Sequence, residues 1–310
     1  LLDNATPLLT SPGISEFYKH NRAWVKIGDG CNQRCAYCIV PHVRGGLVNR
    51  RAEEIAGEIT LLSKNGYHEV VLTGVHVGQY HQGTLRSIAD LIKYLLNSTD
   101  ISRLRLSSIE PQEVNEDLIL AMKNAGHRIC RHLHIPLQSG SDKILNAMRR
   151  PYTAEKYLAT LNAVRENIDG IVLGADIMVG FPGESESDFA ESVKVAESGF
   201  LDYFHLFSYS DRPGTESSAM SNKIDPGIIK SRVSILRRIS DDLYAAALKR
   251  EVGRTVHAIS EHRFNKRGNN YLGITDNYLK ITIPDFLGGG REILKLKASS
   301  SDAKQLIGSI

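Results

Sequence analysis

The chain is 310 residues long, 42% hydrophobic and 24% charged, ordinary for a globular protein and enough for one large core and one small one. No apolar run is long enough to span a bilayer and no signal-peptide pattern is legible, so a soluble, cytoplasmic protein is expected. Four cysteines at uneven spacing exclude a disulfide framework, and a net charge of +3 singles out no class of partner.

Residues 1–20 are weakly periodic and hold Pro7, Pro12 and Gly13, so a leader or interdomain linker is expected there. Short apolar runs then alternate with longer amphipathic ones. Strands are expected at 23–27, 69–73, 103–106, 131–135, 171–177 and 203–207. Helices are expected between them at 51–65, 85–96, 116–124, 154–167 and 186–197. Strands joined by helical crossovers predict a parallel α/β fold, and six units rather than eight predict an incomplete (β/α)6 barrel with an open side. A long helix at 228–251 follows, and the body is expected to occupy 21–248.

Beyond it the pattern shortens to strands at 255–260, 270–275, 279–283 and 292–298, punctuated by Gly268, Gly273, Gly288, Gly289 and Gly290. This predicts a small antiparallel β-barrel at 249–310. Eleven of the 38 Lys and Arg but only six of the 35 Asp and Glu fall in this segment, which makes it basic. A polyanion partner and a solvated surface fit that charge equally well.

Cys31, Cys35 and Cys38 lie within eight residues, just after the first expected strand. Clustered thiolates suit an iron–sulfur centre or zinc. Structural zinc wants four protein ligands, and His42 is the nearest further donor. Three thiolates leave a cubane one ligand short, so one iron is open to another group. Tyr37, Ile39 and Val40 could cover such a centre. Cys130 reads as a small core residue. Other candidate residues also follow strand ends: Thr73, Gly74, Ser107, Ser108, Gln138, Gly180, Ser208 and Tyr209. Barrels and doubly wound sheets both bind ligands on that face. The glycines around Phe181 and Pro182 form neither a P-loop nor a dinucleotide fingerprint.

The Cys31-x3-Cys35-x2-Cys38 loop, with an aromatic before its third cysteine, resembles that of the radical S-adenosylmethionine (SAM) enzymes. The resemblance implies that the three thiolates hold a [4Fe–4S] cluster. Its open iron would take the amino and carboxylate groups of SAM, whose sulfonium an electron from the cluster then cleaves. The resemblance further implies cofactor contacts from Tyr37, Thr73, Gly74, Ser107, Ser108, Glu110, Gln138, Arg149, Asp176, Gly180 and Phe207. Thr73 and Gly74 would meet the methionine amino group. Ser107, Ser108 and Glu110 would bond ribose or ammonium, or else cap local backbone. Ser139 or Ser141 would cap a helix and free Gln138 for the cofactor. Arg149 and Arg150 would neutralise a carboxylate or phosphate, or lie solvated. The 176–184 loop would shape the adenine pocket. His134 reads equally as a core histidine.

Longer runs narrow the resemblance. Asp29 to Pro41, Arg44-Gly45, Leu72 to His76, Leu106 to Pro111, His134 to Ser141 and Arg212 to Thr215 together resemble the tRNA and ribosomal-protein methylthiotransferases. The runs around Thr73 and Ser108 are most similar to the bacterial branch acting on threonylcarbamoyladenosine. That implies insertion of a methylthio group at C2 of adenosine 37, with a tRNA anticodon stem-loop and a reducing electron donor as partners. It also implies a monomer whose small barrel is a TRAM-like RNA-binding domain. Isopentenyladenosine tRNA, a ribosomal-protein aspartate and a zinc-stabilised RNA-binding module without catalysis stay open as alternatives. The family also carries a second [4Fe–4S] cluster on three cysteines of an N-terminal domain. No cysteine precedes Cys31, so a fragment, or a chain without complete methylthio transfer, is expected.

Overall fold

A computed structural model of the chain describes residues 13–17, 20–263, 270–284 and 290–309. Most of the expected leader, together with Gly268, Gly288 and Gly289, lies outside the described residues. The first part of the chain runs β1 (Ala23–Asp29), α1 (Val40–Arg44), β2 (Val48–Asn49), α2 (Ala52–Lys64), β3 (Glu69–Gly74), α3 (Ile88–Ser98), β4 (Arg103–Leu106) and α4 (Glu116–Ala125). It continues with β5 (His132–His134), α5 (Asp142–Ala147), α6 (Ala154–Asn167), β6 (Val172–Val179), α7 (Glu186–Ala196), β7 (Tyr203–Ser208) and α8 (Pro226–Glu251). The last part holds β8 (Thr255–Arg263), β9 (Tyr271–Thr275), β10 (Lys280–Ile283), β11 (Ile293–Ser301) and β12 (Leu306–Ser309).

Local chemistry sets the helix bounds. In α2, Ile55, Ile59 and Leu62 recur at helical spacing and are buried together against the sheet. α3 starts at Ile88 rather than at 85, because Gln82 and Leu85 exchange backbone hydrogen bonds in a tight turn and Ser87 then caps the Asp90 amide at 3.2 Å. Ser185 and Asp188 form a reciprocal capping box on α7. Neither Ser139 nor Ser141 caps α5 as expected; the Ser141 hydroxyl donates to Asp188 at 2.8 Å instead.

Strands β1, β3 and β4 are parallel, with β2 antiparallel at the outer edge, and β5, β6 and β7 form a second parallel sheet. The amide of Cys130 donates to Leu104 O at 2.8 Å and that of Ile109 to His134 O at 2.9 Å, joining the two sheets edge to edge. The six parallel strands therefore follow one another as β1-β3-β4-β5-β6-β7. Among the described residues β7 does not pair with β1, so the barrel is open on that side. Also among the described residues, no helix is long and apolar enough to cross a membrane.

The C-terminal strands close into a five-stranded barrel in the order β10-β12-β11-β8-β9. It is not wholly antiparallel as expected, because β10 and β12 run parallel. β12 escapes sequence reading because four residues, one of them Gly308, give too little alternation. The expected boundary at 248 falls inside α8, whose last turns supply Ala247 and Leu248 to the small barrel's core.

This small barrel docks under the N-terminal ends of the parallel strands. Arg103 and Arg105 each donate from Nε to the buried Glu69 at 2.7 Å. Their remaining nitrogens reach His257 O at 3.0 Å and Thr275 O at 2.9 Å across the interface. Arg131 pairs with Asp276 at 2.7 Å. Tyr278 is held at φ 71 in the β9–β10 turn, a region costly for a side-chain-bearing residue. Its ring lies 5.0 Å under the Arg105 guanidinium and stacks 4.5 Å from His132, forming a floor to the large barrel.

Candidate active site

The three clustered cysteines follow β1 at the opposite, C-terminal end of the parallel strands. Gly30, at φ +73, turns the chain out of β1, and a Cβ there would collide with the Gly46 carbonyl oxygen. The loop is then pinned by backbone bonds: Cys31 N to Gly45 O at 3.2 Å, Cys38 N to Cys35 O at 3.0 Å, and Ala36 N to Met148 O at 3.0 Å. All three thiols are free and half-buried.

Charged groups surround them. Cys31 Sγ lies 3.3 Å from His76 Nδ1, and His76 Nε2 lies 2.5 Å from Glu113 Oε1. Burial opposes charge on Cys31, but hydrogen bonds from His76 and the Gln33 amide prevail and hold the thiol below its usual pKa. Burial likewise opposes charge on His76, yet its bonds to Cys31 and Glu113 raise it to about 9. Arg150 Nη1 donates to Cys35 Sγ at 3.2 Å, Nη2 pairs with Glu110, and Nε donates to Tyr152 OH at 3.0 Å.

Thr73, Ser107, Ser108 and Asp176 line one cavity of ≈ 370 Å³ inside the barrel, together with His134 and His205. His134 Nε2 lies 3.0 Å from Asp176 Oδ1, so His134 is a wall of this cavity rather than a residue of the apolar core. Gly74 lies where β3 meets β1, and a Cβ there would sit 3.1 Å from Gly28 O. Gln138 has φ 66, and its amide donates to Asp176 O at 2.8 Å, so the strand-end loop holds backbone strain beside the cavity. Gly180, at φ +82, donates to Glu184 at 2.9 Å. Tyr37 packs with Ala36, Ile144, Met148 and Phe181, and burial pushes its phenol far up. Phe207 is 52% exposed near the open edge.

Arg149 stands apart from this group: it is exposed and paired with Glu216 at 2.6 Å. Its neighbour Arg150 is the one against the thiols. Sequence reasoning also passed over His76 and Glu113 as partners of Cys31. His76 ends the run that begins at Leu72, which was a usable signal; Glu113 is 82 residues from Cys31 and gave none.

Among the described residues no three His, Cys, Asp or Glu side chains converge on a single metal ion, and His42 is exposed on α1. A cubane needs no such convergence, because each thiolate binds a different iron. Three free thiols on one pinned loop, with a guanidinium and an imidazole beside them, fit that donor set. Residues 25–196 match the family model of the radical SAM superfamily. The chain belongs to that superfamily.

Among curated relatives, the threonylcarbamoyladenosine tRNA methylthiotransferase MtaB of Bacillus subtilis (strain 168) is 35% identical over 294 residues, covering 92% of this chain and 64% of that protein. The tRNA-2-methylthio-N(6)-dimethylallyladenosine synthase of Thermoanaerobacter sp. (strain X514) is 37% identical over 253 residues, covering 81% and 53%. The chain thus spans 53–64% of the length of these two relatives. Among solved structures, the radical SAM enzyme coproporphyrinogen III oxidase (HemN) of Escherichia coli is similar over 86% of this chain and 67% of its own, at TM-score 0.52 and 16% identity, a likeness of fold.

Proposed function

We propose that this radical SAM chain carries the chemistry of a cytoplasmic tRNA methylthiotransferase acting at C2 of N6-threonylcarbamoyladenosine 37. The observation that carries this reading is the thiolate loop, pinned at the mouth of a barrel whose cavity is lined by hydroxyls, imidazoles and a carboxylate. In this reading Cys31, Cys35 and Cys38 hold a [4Fe–4S] cluster with one iron left to SAM. When bound, cluster and SAM together supply one-electron reductive cleavage of a sulfonium, the source of a carbon radical.

The chain's own residues bind, orient and exclude water. Thr73, Ser107 and Ser108 offer hydroxyls and Asp176 a carboxylate to the polar parts of SAM. Gly74 lets the end of β3 close against Gly28 O, and Gly180 lets its loop close against Ile229, so the two glycines shape the backbone around the site. Arg150 fixes Glu110 and keeps positive charge against Cys35. Tyr37 and Phe181 shield the loop from solvent, and Phe207 offers an exposed ring to a base. Fixed orientation in a dry site supplies the rate advantage.

The partners in this reading are a tRNA anticodon stem-loop and a reducing electron donor, and the enzyme works as a monomer. The body through α8 is the catalytic domain, and the barrel from Thr255 onward is a TRAM-like RNA-binding domain. Cysteine loop and small barrel lie at opposite ends of the parallel strands, so RNA touching both would run along the flank of the body. Anaerobic reconstitution tests the reading: about four irons per chain and conversion of SAM to 5′-deoxyadenosine are expected. Mass analysis of tRNA treated with an enzyme spanning the relatives' full length tests the transfer.

A further inference from the structure

We infer that His76 and Glu113 are positioning residues for the radical chemistry: Glu113 fixes the His76 imidazole, and His76 donates to Cys31 Sγ, holding that ligand and making the centre bound to it easier to reduce. This rests on the cluster reading above, and neither residue belongs to the cysteine motif.

Three side chains from distant parts of the sequence meet here in a row. His76 follows β3, and Glu113 ends the short turn Pro111–Glu113 after β4. His76 Nδ1 lies 3.3 Å from Cys31 Sγ, and its Nε2 lies 2.5 Å from Glu113 Oε1. The His76 side chain is 3% exposed and that of Glu113 11%, so water screens the two contacts little. A carboxylate accepts hydrogen bonds, and a sulfur that binds iron has lost its proton and accepts too. Both imidazole nitrogens therefore carry hydrogen in the iron-loaded chain, and the ring is a cation against the ligand sulfur.

The carboxylate is placed for the histidine. Glu113 Oε2 is buried and bonds nothing among the described residues, so the contact of Oε1 with His76 is what offsets taking this group out of water. Gly78 keeps the space for it. This glycine lies in the single turn Val77–Gln79 and has no left-handed φ, so the backbone itself does not demand glycine. A Cβ there would nevertheless collide with the Glu113 carboxylate and lie 2.8 Å from the Glu113 Cβ. Glu110, in the same segment, pairs with Arg150, which donates to Cys35 Sγ. The chain after β4 thus braces two of the three thiolates through two different cations.

A hydrogen bond and a positive charge at a ligand sulfur favour the state that carries one more electron, so removing them lowers the reduction potential. The reconstituted 310-residue chain is titrated anaerobically with dithionite and redox mediators, without SAM, and EPR follows the reduced centre per iron bound. His76→Leu should cut the reduced-to-oxidised ratio at a given potential at least about tenfold, a midpoint about 59 mV lower for one electron. Gly78→Ala alters neither the cysteines nor His76 and displaces Glu113 alone; it should move the midpoint in the same direction by less. The signal is counted per centre present, so a merely structural role would change the iron retained and leave the midpoint where it was. If His76→Leu retains no iron, Gly78→Ala decides. Midpoints that stay at the parent value or rise overturn the inference and leave the cluster reading standing, whereas a parent chain that takes up no iron removes both.

Discussion

The guanidinium of Arg150 donates to the thiol of Cys35 across 3.2 Å while its other terminal nitrogen holds Glu110. One side chain thus ties the cysteine loop to the loop after β4. The Arg150 side chain is 2% exposed and that of Glu110 18%, so the pair is held mostly out of water. Arg150→Met should leave the half-buried Glu110 without its partner and cost about 1–3 kcal/mol in urea unfolding. Arg150→Lys should recover part of that loss, since an ammonium keeps the charge but not the fork. An unchanged unfolding midpoint in the Met variant would refute the coupling.

Gly30 makes the turn that delivers Cys31. Its φ of +73 and the nearness of the Gly46 carbonyl leave no space for a Cβ. Gly30→Ala should leave the circular dichroism spectrum unchanged while iron retained after anaerobic reconstitution and desalting drops from about four to below about one per chain. Full iron retention would mean that the loop tolerates the displacement.

Glu69 couples the small barrel to the body. Burial raises its pKa, but the guanidiniums of Arg105 and Arg103 outweigh that and bring it from 4.5 down to about 2. The folded state therefore favours the carboxylate. The stability this contributes is present above about pH 4.5 and is lost as pH falls toward about 2. Urea midpoints across that range should fall with acid in the parent. Glu69→Gln, which strands two buried guanidiniums, should unfold about 3–5 kcal/mol more easily at neutral pH and show a shallower acid slope. An identical acid slope in the two proteins would assign the pH dependence to other groups.

Much of the fold was legible because its signals are local. The 154–167 helix and the 103–106 strand match the observed bounds, since alternation, helical spacing and a capping Thr153 all lie within the segments themselves. Within the candidate site, the cysteine loop and the strand-end hydroxyls were legible for the same reason. What stayed hidden depends on residues far apart in the chain. Arg103 and Arg105 alternate with Leu104 and Leu106, and it is the small barrel, met 154 and 170 residues further along the chain, that covers their face and turns it into a buried ion-pair floor. Tyr278 reaches His132 from 146 residues away. Choosing Arg150 over Arg149 needs the left-handed turn at Arg149, φ 58, which sends the two side chains in different directions.

The central claim is that Cys31, Cys35 and Cys38 hold a cubane with one iron free for SAM. The most direct measurement is EPR of the anaerobically reconstituted, reduced chain with and without SAM, alongside iron, sulfide and zinc analysis. The account predicts about four irons per chain, a cluster signal that changes on adding SAM, and loss of both in Cys35→Ala. Uptake of one zinc with no iron, or a cluster signal indifferent to SAM, would contradict it.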